Sequence, residues 1–151
     1  MLIKNLVFEQ CPPPEAVRSR LQLEDATTPV YFQKKLLIVD ASPIAVDITY
    51  TVGEVVEPFA ESLQAKMTFP LLEQHGILIE RIETTLECTH ASLELSQYLN
   101  APLGSPLLVY RYVAYTCNDR PVVCGESLSR GDRLSYSVML TKHSASSTDQ
   151  E

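Results

Sequence analysis

Alternating hydrophobic and polar positions predict β-strands in several parts of the chain. Residues 30–39 (VYFQKKLLIV) and 44–52 (IAVDITYTV) flank a short Asp-Ala-Ser-Pro turn, which predicts an antiparallel hairpin. In residues 77–88 successive side chains fall into two alternating sets, one for each face of a strand, which predicts a long strand with one covered face. Residues 2–10 fit either an opening strand or a linker.

The last third of the sequence has the pattern of a β-meander. Residues 106–116 and 121–128 are largely apolar and flank an Asn-Asp turn, which predicts a second hairpin. A final strand is predicted over about residues 134–141, after the break SRGDR. The remaining tail, residues 143–151, is polar and is predicted to be disordered.

Helical patterns lie between the predicted strands. Helices are expected over residues 15–23, 54–64, 69–75 and 91–99, and three prolines before the first of them suit a helix start. Gly76 stands where the third helix should end. About six mostly antiparallel strands with helices between them predict the α+β class, a sheet covered by helices.

Composition and charge agree with a single globular domain. The chain has 151 residues, of which 45% are hydrophobic and 21% are charged. Nineteen acidic residues against twelve basic ones leave a net charge of -7. Because nucleic-acid-binding proteins usually carry a basic surface, this charge argues against direct DNA, RNA or anionic-membrane binding by the chain.

Targeting signals and metal-binding motifs are missing from the sequence. No stretch resembles a signal peptide or approaches the roughly 18 apolar residues of a spanning helix, which predicts a cytoplasmic protein without a membrane partner. The cysteines at 11, 88, 117 and 124 form no Cys-x-x-Cys pair and have no histidine at ligand spacing, so we expect free thiols, no metal and no cofactor. The Asn-Asp turn would set Cys124 opposite about Val113, away from Cys117.

The tripeptide Arg130-Gly131-Asp132 matches a cell-adhesion signal, but nothing in the sequence supports secretion. A structural role is favoured. Gly131 between two strands would permit a positive φ, so that the chain could break and re-enter the sheet. Asp132 could accept hydrogen bonds from backbone amides across the break, or pair with Arg111 or Arg133.

Three charged residues lie in the middle of predicted strands. Counting from the first turn sets Lys35 opposite Asp47, either as a simple cross-strand pair or as the rim of a ligand cleft. Arg111 lies inside the apolar run LLVYRYVAY, where it either extends outward from the sheet or lines a polar pocket. An inward arginine would need an anionic partner, such as Asp132, Glu126 or an acidic ligand.

Catalytic motifs are not apparent. The histidines are scattered, no Ser-His-Asp or Cys-His set has a readable spacing, and no glycine-rich phosphate loop is present. Chemistry alone therefore predicts a globular α+β domain that is not an enzyme.

An ordered series of motifs runs through residues 99–142. It consists of a Pro/Gly loop after Leu99, the strand SPLLVYRYV with its Arg111, a turn followed by Arg-Pro-Val, and Arg-Gly-Asp-Arg before the last strand. This series resembles the last third of the UTRA domain, the effector-binding domain of GntR-type bacterial transcription regulators, in the branch named for the histidine-utilisation repressor. Upstream, PPPEAVRSRLQL, VDASPIAVD and FPLLEQHGI are similar to its first helix, first hairpin and short helix, so the resemblance covers residues 7–142.

The resemblance implies a chorismate-lyase-like fold, with a ligand-sensing domain over residues 1–142, a cleft for a small-molecule effector and assembly as a homodimer. In complete regulators of this type a winged helix-turn-helix domain precedes the sensing domain and contacts DNA. We expect that DNA-binding domain to be absent from the 151 residues. Two other functions stay open: a chorismate-lyase-type enzyme on the same fold, and a purely structural dimerisation module.

The ligand-binding positions implied by the resemblance differ from those of relatives that sense sugar phosphates. Where those relatives carry an Arg-x-Arg pair, this chain has Lys35 and Leu37. Asp47 corresponds to an acidic residue of the same relatives, so the acidic character of that position is retained. Their serine-rich phosphate loop falls near Thr68 and Phe69, which suit phosphate poorly.

Two further positions agree with a less polar pocket, since Val123 replaces a glutamate and Ser129 a tyrosine of the sugar-phosphate sensors. The predicted ligand-binding residues are Lys35, Asp47, Thr68, Phe69, Arg111, Val123 and Ser129. The predicted structural residues are Gly131, Asp132 and Arg133.

Overall fold

The computed structural model describes residues 1–142, and the tail predicted at 143–151 lies outside the described residues. Six strands form one antiparallel sheet in the order β1-β2-β3-β6-β5-β4. They are β1 (Leu2–Cys11), β2 (Val30–Val39), β3 (Ser42–Val52), β4 (Arg81–His90), β5 (Pro106–Tyr115) and β6 (Pro121–Arg130). The α+β class predicted from the sequence is confirmed.

Short helices connect the strands and cover the sheet. They are α1 (Glu15–Arg20), α2 (Gly53–Val56), a 3₁₀ helix (Glu57–Gln64), α3 (Thr68–Gln74) and α4 (Leu93–Leu99). The helix predicted over 54–64 is largely 3₁₀ in form and is kinked at Phe59. Pro58 lies at its start, where a residue without an amide donor is tolerated.

The first hairpin has the predicted position and register. Asp40 and Ala41 form its turn with φ of 50° and 61°, and the positive values match the twist of the flanking strands. The register sets Lys35 opposite Asp47, as predicted. Because side chains alternate between faces, the odd-numbered residues of β2 and β3 share one face of the sheet.

The two faces of the sheet pack against different helices. The face that we call the α4 face is buried mainly by α1 and α4, with Leu36, Val46 and Leu107 packed around Leu99. The opposite face, which we call the α3 face, is buried by α2, the 3₁₀ helix and α3. Its core consists of Val56, Phe59, Leu63, Leu71, Leu72, Tyr112, Ala114, Val122 and Val123. Each fully buried leucine contributes roughly 1.5–3 kcal/mol of transfer free energy.

The carboxyl end of α3 is fixed by the glycine that the sequence identified. Gly76 has a φ of 78° and lies directly after His75, the C-cap. The amide of Ile77 donates to the carbonyl of Leu72 at 2.9 Å, and the amide of Gly76 donates to that of Glu73 at 3.0 Å. This pair of bonds is a Schellman motif, which needs a residue that accepts a left-handed conformation.

The strand predicted over 77–88 begins later and is less buried than its pattern indicated. Residues 77–80 are irregular, and β4 starts at Arg81. All of β4 is exposed except Thr89, which is half-buried, so the predicted covered face is wrong. The reason is position, since β4 is one of the two edge strands and the helices pack mainly on the strands between the edges.

The final strand predicted over 134–141 does not form. This segment carries no regular secondary structure, although its side chains alternate as in a strand. Val138, Met139 and Leu140 are each more than 80% exposed. A strand needs a neighbouring strand for its backbone donors and acceptors, and none of the six described strands forms a ladder with this segment.

The Arg-Gly-Asp turn is held by its arginine. Arg130 donates from Nε to Asp132 Oδ1 at 2.9 Å and from Nη2 to Oδ2 at 2.8 Å. Its Nη1 donates to the carbonyl of Asn100 at 3.1 Å and so caps the carboxyl end of α4. The Arg130 guanidinium also lowers the pKa of the Asp132 carboxyl.

Two expectations about this turn need correction. The φ of Gly131 is not in the positive region, and a Cβ there would meet the carbonyl oxygen of Pro106 at an ordinary 3.5 Å, so the turn does not require glycine. Asp132 forms its ion pair with Arg130 and not with Arg111. Arg133 instead donates to the hydroxyl of Ser42 at 2.7 Å, which ties the turn to the start of β3.

The cysteines and the helices bear on two further expectations. All four cysteines are free, and Cys124 lies opposite Val113, as the turn predicted. Within residues 1–142, no group of three or more His, Cys, Asp and Glu side chains could hold a metal ion. No helix among these residues has both the length and the apolarity to cross a membrane.

Candidate functional site

Buried polar atoms without partners concentrate on the α3 face. Among the described residues, five buried side-chain atoms accept or donate no hydrogen bond: Asn5 Oδ1, Gln33 Oε1, Asp47 Oδ1, Thr51 Oγ1 and Ser129 Oγ. The strand register places all five residues on the same face of the sheet. Buried polar groups are normally satisfied, and of these five residues Asp47 is the one that lines a cavity, where a ligand or water could complete its hydrogen bonding.

A cavity of about 260 Å³ opens on this face. Its floor is formed by odd-numbered residues of β2 and β3, among them Lys35 and Asp47, together with Ser127 of β6. The start of α3 lies over it through Thr68 and Phe69. The cavity thus lies between the central strands and a helix, where ligand sites in such folds are common.

Lys35 is the buried cation of the cavity. Only 3% of the residue is exposed, and its Nζ donates to the carbonyl of Lys66 at 2.6 Å. Burial lowers the pKa of the Lys35 ammonium to about 8, and the nearby Asp47 carboxylate opposes this effect. An ammonium has three donors, and the described residues accept one of them, so Lys35 can donate to a ligand.

Asp47 is the matching anion. Burial raises the pKa of its carboxyl, while the hydroxyl of Ser127 and the ammonium of Lys35 partly oppose the rise. Its Oδ1 is buried and has no hydrogen-bond partner among residues 1–142. A carboxylate oxygen in this state is a strong acceptor, because leaving it unpaired costs about 1–3 kcal/mol or more.

Aromatic rings form the walls of the cavity. Tyr110 and Tyr112 point from β5, and Phe69 of α3 lies 5.5 Å from the Tyr112 ring. Tyr136 stacks on Tyr110 at 5.0 Å and lines the cavity together with Leu134. These rings give the cavity an apolar lining around its two charges.

Gly125 makes room for one of these rings. A Cβ built there would lie 2.5 Å from the carbonyl oxygen of Ile48 and 2.9 Å from the hydroxyl of Tyr112. Only glycine fits at this point of β6, because the neighbouring backbone cannot move aside. Burial raises the pKa of the Tyr112 hydroxyl well above its ordinary value, so this group stays protonated and neutral.

The structure brings together four of the seven predicted ligand-binding residues. Lys35, Asp47, Thr68 and Phe69 line the cavity. Val123 lies on the same face but belongs to the apolar core beside it.

Ser129 lies on this face opposite Ala45, which lines the cavity, but Ser129 itself does not. The residue is fully buried and its Oγ has no partner among the described residues.

Arg111 is the one predicted ligand-binding residue that lies on the α4 face. Odd-numbered residues of β5 point away from Tyr110 and Tyr112, and the parity places Arg111 outside the cavity. Its guanidinium forms ion pairs with Glu87 and with Glu126, the latter at 3.1 Å. Both carboxylates come from cross-strand neighbours, so Arg111 is neutralised within the sheet.

Sequence reasoning missed most of the aromatic wall. Tyr110 and Tyr112 are two residues apart in β5, a spacing that puts both rings on one face, and this signal was available. Tyr136 and Leu134 could not be found, because they belong to an irregular segment that lines the cavity, in a region where the sequence predicted a strand.

A larger groove of about 620 Å³ lies elsewhere, between α3 and residues 77–82. It is open to solvent, and its ionisable side chains, those of Glu73, Glu80 and Arg81, are all exposed. The smaller cavity is therefore the better candidate of the two, since it is less open to solvent and its charged side chains, Lys35 and Asp47, are withdrawn from solvent.

Comparison with known proteins decides the family. The sequence profile of the UTRA domain matches residues 2–135. The chain belongs to the UTRA domain family. Its sheet and helices have the chorismate-lyase-like fold of that family, and the UTRA domain is the ligand-binding domain of GntR-family transcriptional regulators, which is not an enzyme family.

Relatives agree with this assignment. The chain is 24% identical over 130 residues to the uncharacterized HTH-type transcriptional regulator YurK of Bacillus subtilis strain 168, a match that covers 84% of this chain and 53% of YurK. This UTRA chain therefore spans about half the length of that relative.

Solved structures share the fold. The ligand-binding domain of a regulator from Bordetella bronchiseptica, assigned to the GntR family, superposes with a TM-score of 0.83 at 22% identity, covering 92% of this chain and 88% of the other. The effector domain of PhnF from Mycobacterium smegmatis superposes with a TM-score of 0.81 at 18% identity, covering 93% and 87%.

Proposed function

We propose that this UTRA chain is the effector-binding and dimerisation domain of a cytoplasmic bacterial transcription regulator of the histidine-utilisation-repressor branch. The observation that carries the proposal is the cavity on the α3 face, in which a buried, incompletely bonded Lys35 lies beside an Asp47 oxygen without a partner among residues 1–142. Two such charges destabilise a domain unless a bound molecule uses them. A stability cost concentrated at one cavity is typical of a binding site.

Two elements that line the cavity could transmit ligand binding to the rest of the regulator. The start of α3 contributes Thr68 and Phe69, and the segment after β6 contributes Leu134 and Tyr136. A ligand that prefers one arrangement of these elements would shift the balance between two states of the complete regulator. DNA contact belongs to a separate winged helix-turn-helix domain, in agreement with the net charge of -7.

A second copy of this chain is the proposed partner of the segment after residue 136. Val138, Met139 and Leu140 are each more than 80% exposed, and Leu78 and Leu86, near and on β4, are 66% and 60% exposed. The outer edge of β4 offers free backbone groups, and the alternating segment 134–141 has the sequence of a strand. Reciprocal pairing of these elements in two copies would bury both apolar surfaces.

A metabolite screen tests the effector function. The 151-residue chain is expected to show a raised melting temperature with at least one small metabolite from a broad library. The Lys35→Met variant should lose that shift, whereas Arg111→Met, which changes a charge on the other face, should keep it. If no compound in the library stabilises the chain, the effector function is wrong.

Sedimentation analysis tests the dimer. The chain should sediment as a dimer, and the double variant Val138→Asp, Leu140→Asp should sediment as a monomer with an unchanged circular dichroism spectrum. The variant Leu103→Asp, which alters an exposed leucine in another loop, serves as the control. A monomeric parent chain, or a variant that stays dimeric, would contradict this assembly.

A further inference from the structure

We infer that the ligand of the cavity is a zwitterionic amino compound, with an ammonium and a carboxylate on the same carbon atom and a compact uncharged body. The inference rests on the proposed function, since it concerns the same cavity and names the chemical class that the cavity takes.

The two charges of the cavity lie side by side without neutralising each other. Lys35 and Asp47 are direct cross-strand neighbours, yet no ion pair within 4.0 Å joins them. Lys35 Nζ turns instead to the carbonyl of Lys66 at 2.6 Å, and Asp47 Oδ1 has no partner among residues 1–142. A zwitterion satisfies both at once, because its carboxylate can accept from Lys35 while its ammonium donates to Asp47.

The same charges disfavour a phosphorylated ligand. The cavity contains one ammonium and one carboxylate among its lining residues, so its formal charge is balanced. A phosphate dianion would meet a single cation and would also be repelled by the carboxylate beside it. The guanidinium nearest in sequence to the aromatic wall, Arg111, lies on the α4 face in ion pairs with two glutamates and does not reach the cavity.

Size and lining define the body of the ligand. A volume of about 260 Å³ lies below the roughly 300–1,000 Å³ of sites for drug-sized molecules, which indicates a ligand the size of an amino acid. Beyond the two charges, the lining is dominated by rings and aliphatic groups, among them Phe69, Tyr110, Tyr112 and Leu37. An aliphatic or aromatic side chain without charge suits these walls.

A charge-matched panel tests the inference by calorimetry on the 151-residue chain. The panel holds the apolar body constant in two sets. One set is L-phenylalanine, phenethylamine, 3-phenylpropionate and 2-phenylethanol, and the other is L-leucine, 3-methylbutylamine and 4-methylpentanoate, with O-phospho-L-tyrosine as the phosphorylated probe. In at least one set the zwitterion should bind about tenfold or more tightly than either singly charged analogue.

Two variants assign each charge to its partner. Asp47→Asn should remove the advantage of the zwitterion over the carboxylate, and Lys35→Met should remove its advantage over the amine. Arg111→Met should leave all affinities within about twofold of the parent. Circular dichroism and the melting temperature verify that each variant is folded.

The outcomes separate the inference from the proposed function. The inference is overturned if neither zwitterion binds, or if a singly charged or phosphorylated analogue binds as tightly as the zwitterion. The effector function survives that result if the wider metabolite library contains a ligand of another class whose binding depends on Lys35. Both fall together if the library contains no ligand.

Discussion

Two charged clusters lie in the middle of the same sheet, on opposite faces, and they differ in one respect. On the α4 face, Arg111 is paired with Glu87 and Glu126. On the α3 face, Lys35 and Asp47 are more deeply buried, yet each keeps hydrogen-bonding capacity that no described residue uses. A saturated cluster can only support the fold, whereas an unsaturated one is ready to bind. The depth of burial and the number of hydrogen-bond partners, rather than the presence of charge, therefore distinguish the candidate binding site from a structural ion-pair cluster.

The strongest test of this contrast removes both cavity charges. The double variant Lys35→Met, Asp47→Leu should lose ligand binding by about a hundredfold or more, because both polar anchors are gone. It should also unfold at higher temperature, since replacing two buried charges by apolar groups often stabilises a protein by about 1–4 kcal/mol.

Calorimetry for the ligand and urea unfolding for stability measure the two effects on this variant. A variant that both binds normally and is destabilised would show that the pair is structural. The control double variant is Arg111→Met, Glu126→Leu on the α4 face, for which no loss of affinity is expected.

Alkaline pH should sharpen the contrast next. The pKa of Lys35 is about 8 in the folded chain against an ordinary 10.5, so the unfolded chain binds more protons between these values. The contribution of Lys35 to stability therefore rises with pH through this window, and the penalty for the buried charge is complete below it. The difference of about 2.5 units corresponds to about 3 kcal/mol in total.

Urea unfolding from pH 7.5 to pH 10.5 should show that the parent chain gains stability relative to Lys35→Met, since the buried Cys124, whose raised pKa acts in the opposite direction, is common to both. Lys34→Met removes the neighbouring lysine on the other face, which forms an ion pair with Glu94, and should keep the rise. Parallel pH profiles for the parent and Lys35→Met would refute the burial penalty.

A smaller effect, a loss of stability, is expected when a side chain is added at Gly125 on the α3 face of the sheet. Gly125→Ala places a Cβ 2.5 Å from a backbone oxygen and 2.9 Å from the Tyr112 hydroxyl, so it should cost about 1–3 kcal/mol and displace the ring. Gly131→Ala is the matched control, because its Cβ meets only an ordinary contact and its φ is not positive. Thermal unfolding of both variants tests this, and equal losses would contradict it.

The smallest effect should come from the saturated cluster. Arg111→Met should lower stability by about 1 kcal/mol or less, since its side chain is a third exposed and water screens such pairs. The loss should shrink further at high salt, which urea unfolding at two ionic strengths can measure. A loss of several kcal/mol would mean that this cluster supports the fold far more than its exposure indicates.

Local patterns were sufficient for the hairpins and misleading at the sheet edge. The turn at Asp40 and Ala41 is set by adjacent residues, so the pairing of Lys35 with Asp47 could be counted from the sequence. The alternation of residues 77–88 was equally clear, but alternation does not reveal whether a helix covers the strand, and β4 is exposed. Segment 134–141 has a strand pattern but forms no strand, because strand formation depends on a neighbouring strand, which the local pattern does not reveal.

The candidate site divides in the same way. Counting residues outward from the first hairpin turn, together with the family resemblance, identified Lys35 and Asp47 as candidate ligand-binding residues. Arg111 looked equally suitable in the sequence, and only the alternation of β5 relative to β6 placed it on the other face. Tyr136 reaches the cavity through the course of an irregular segment, which no periodicity encodes.

The sequence by itself determined the class of fold, the family, the first hairpin and its register, and the glycine that ends α3. These features depend on residues close together along the chain or on an ordered set of motifs. Tertiary structure alone decided which charges remain unsatisfied, which aromatic rings surround them and which edge is left open. Satisfaction of a buried group depends on every neighbour in space, and those neighbours come from strands and helices far apart in the sequence.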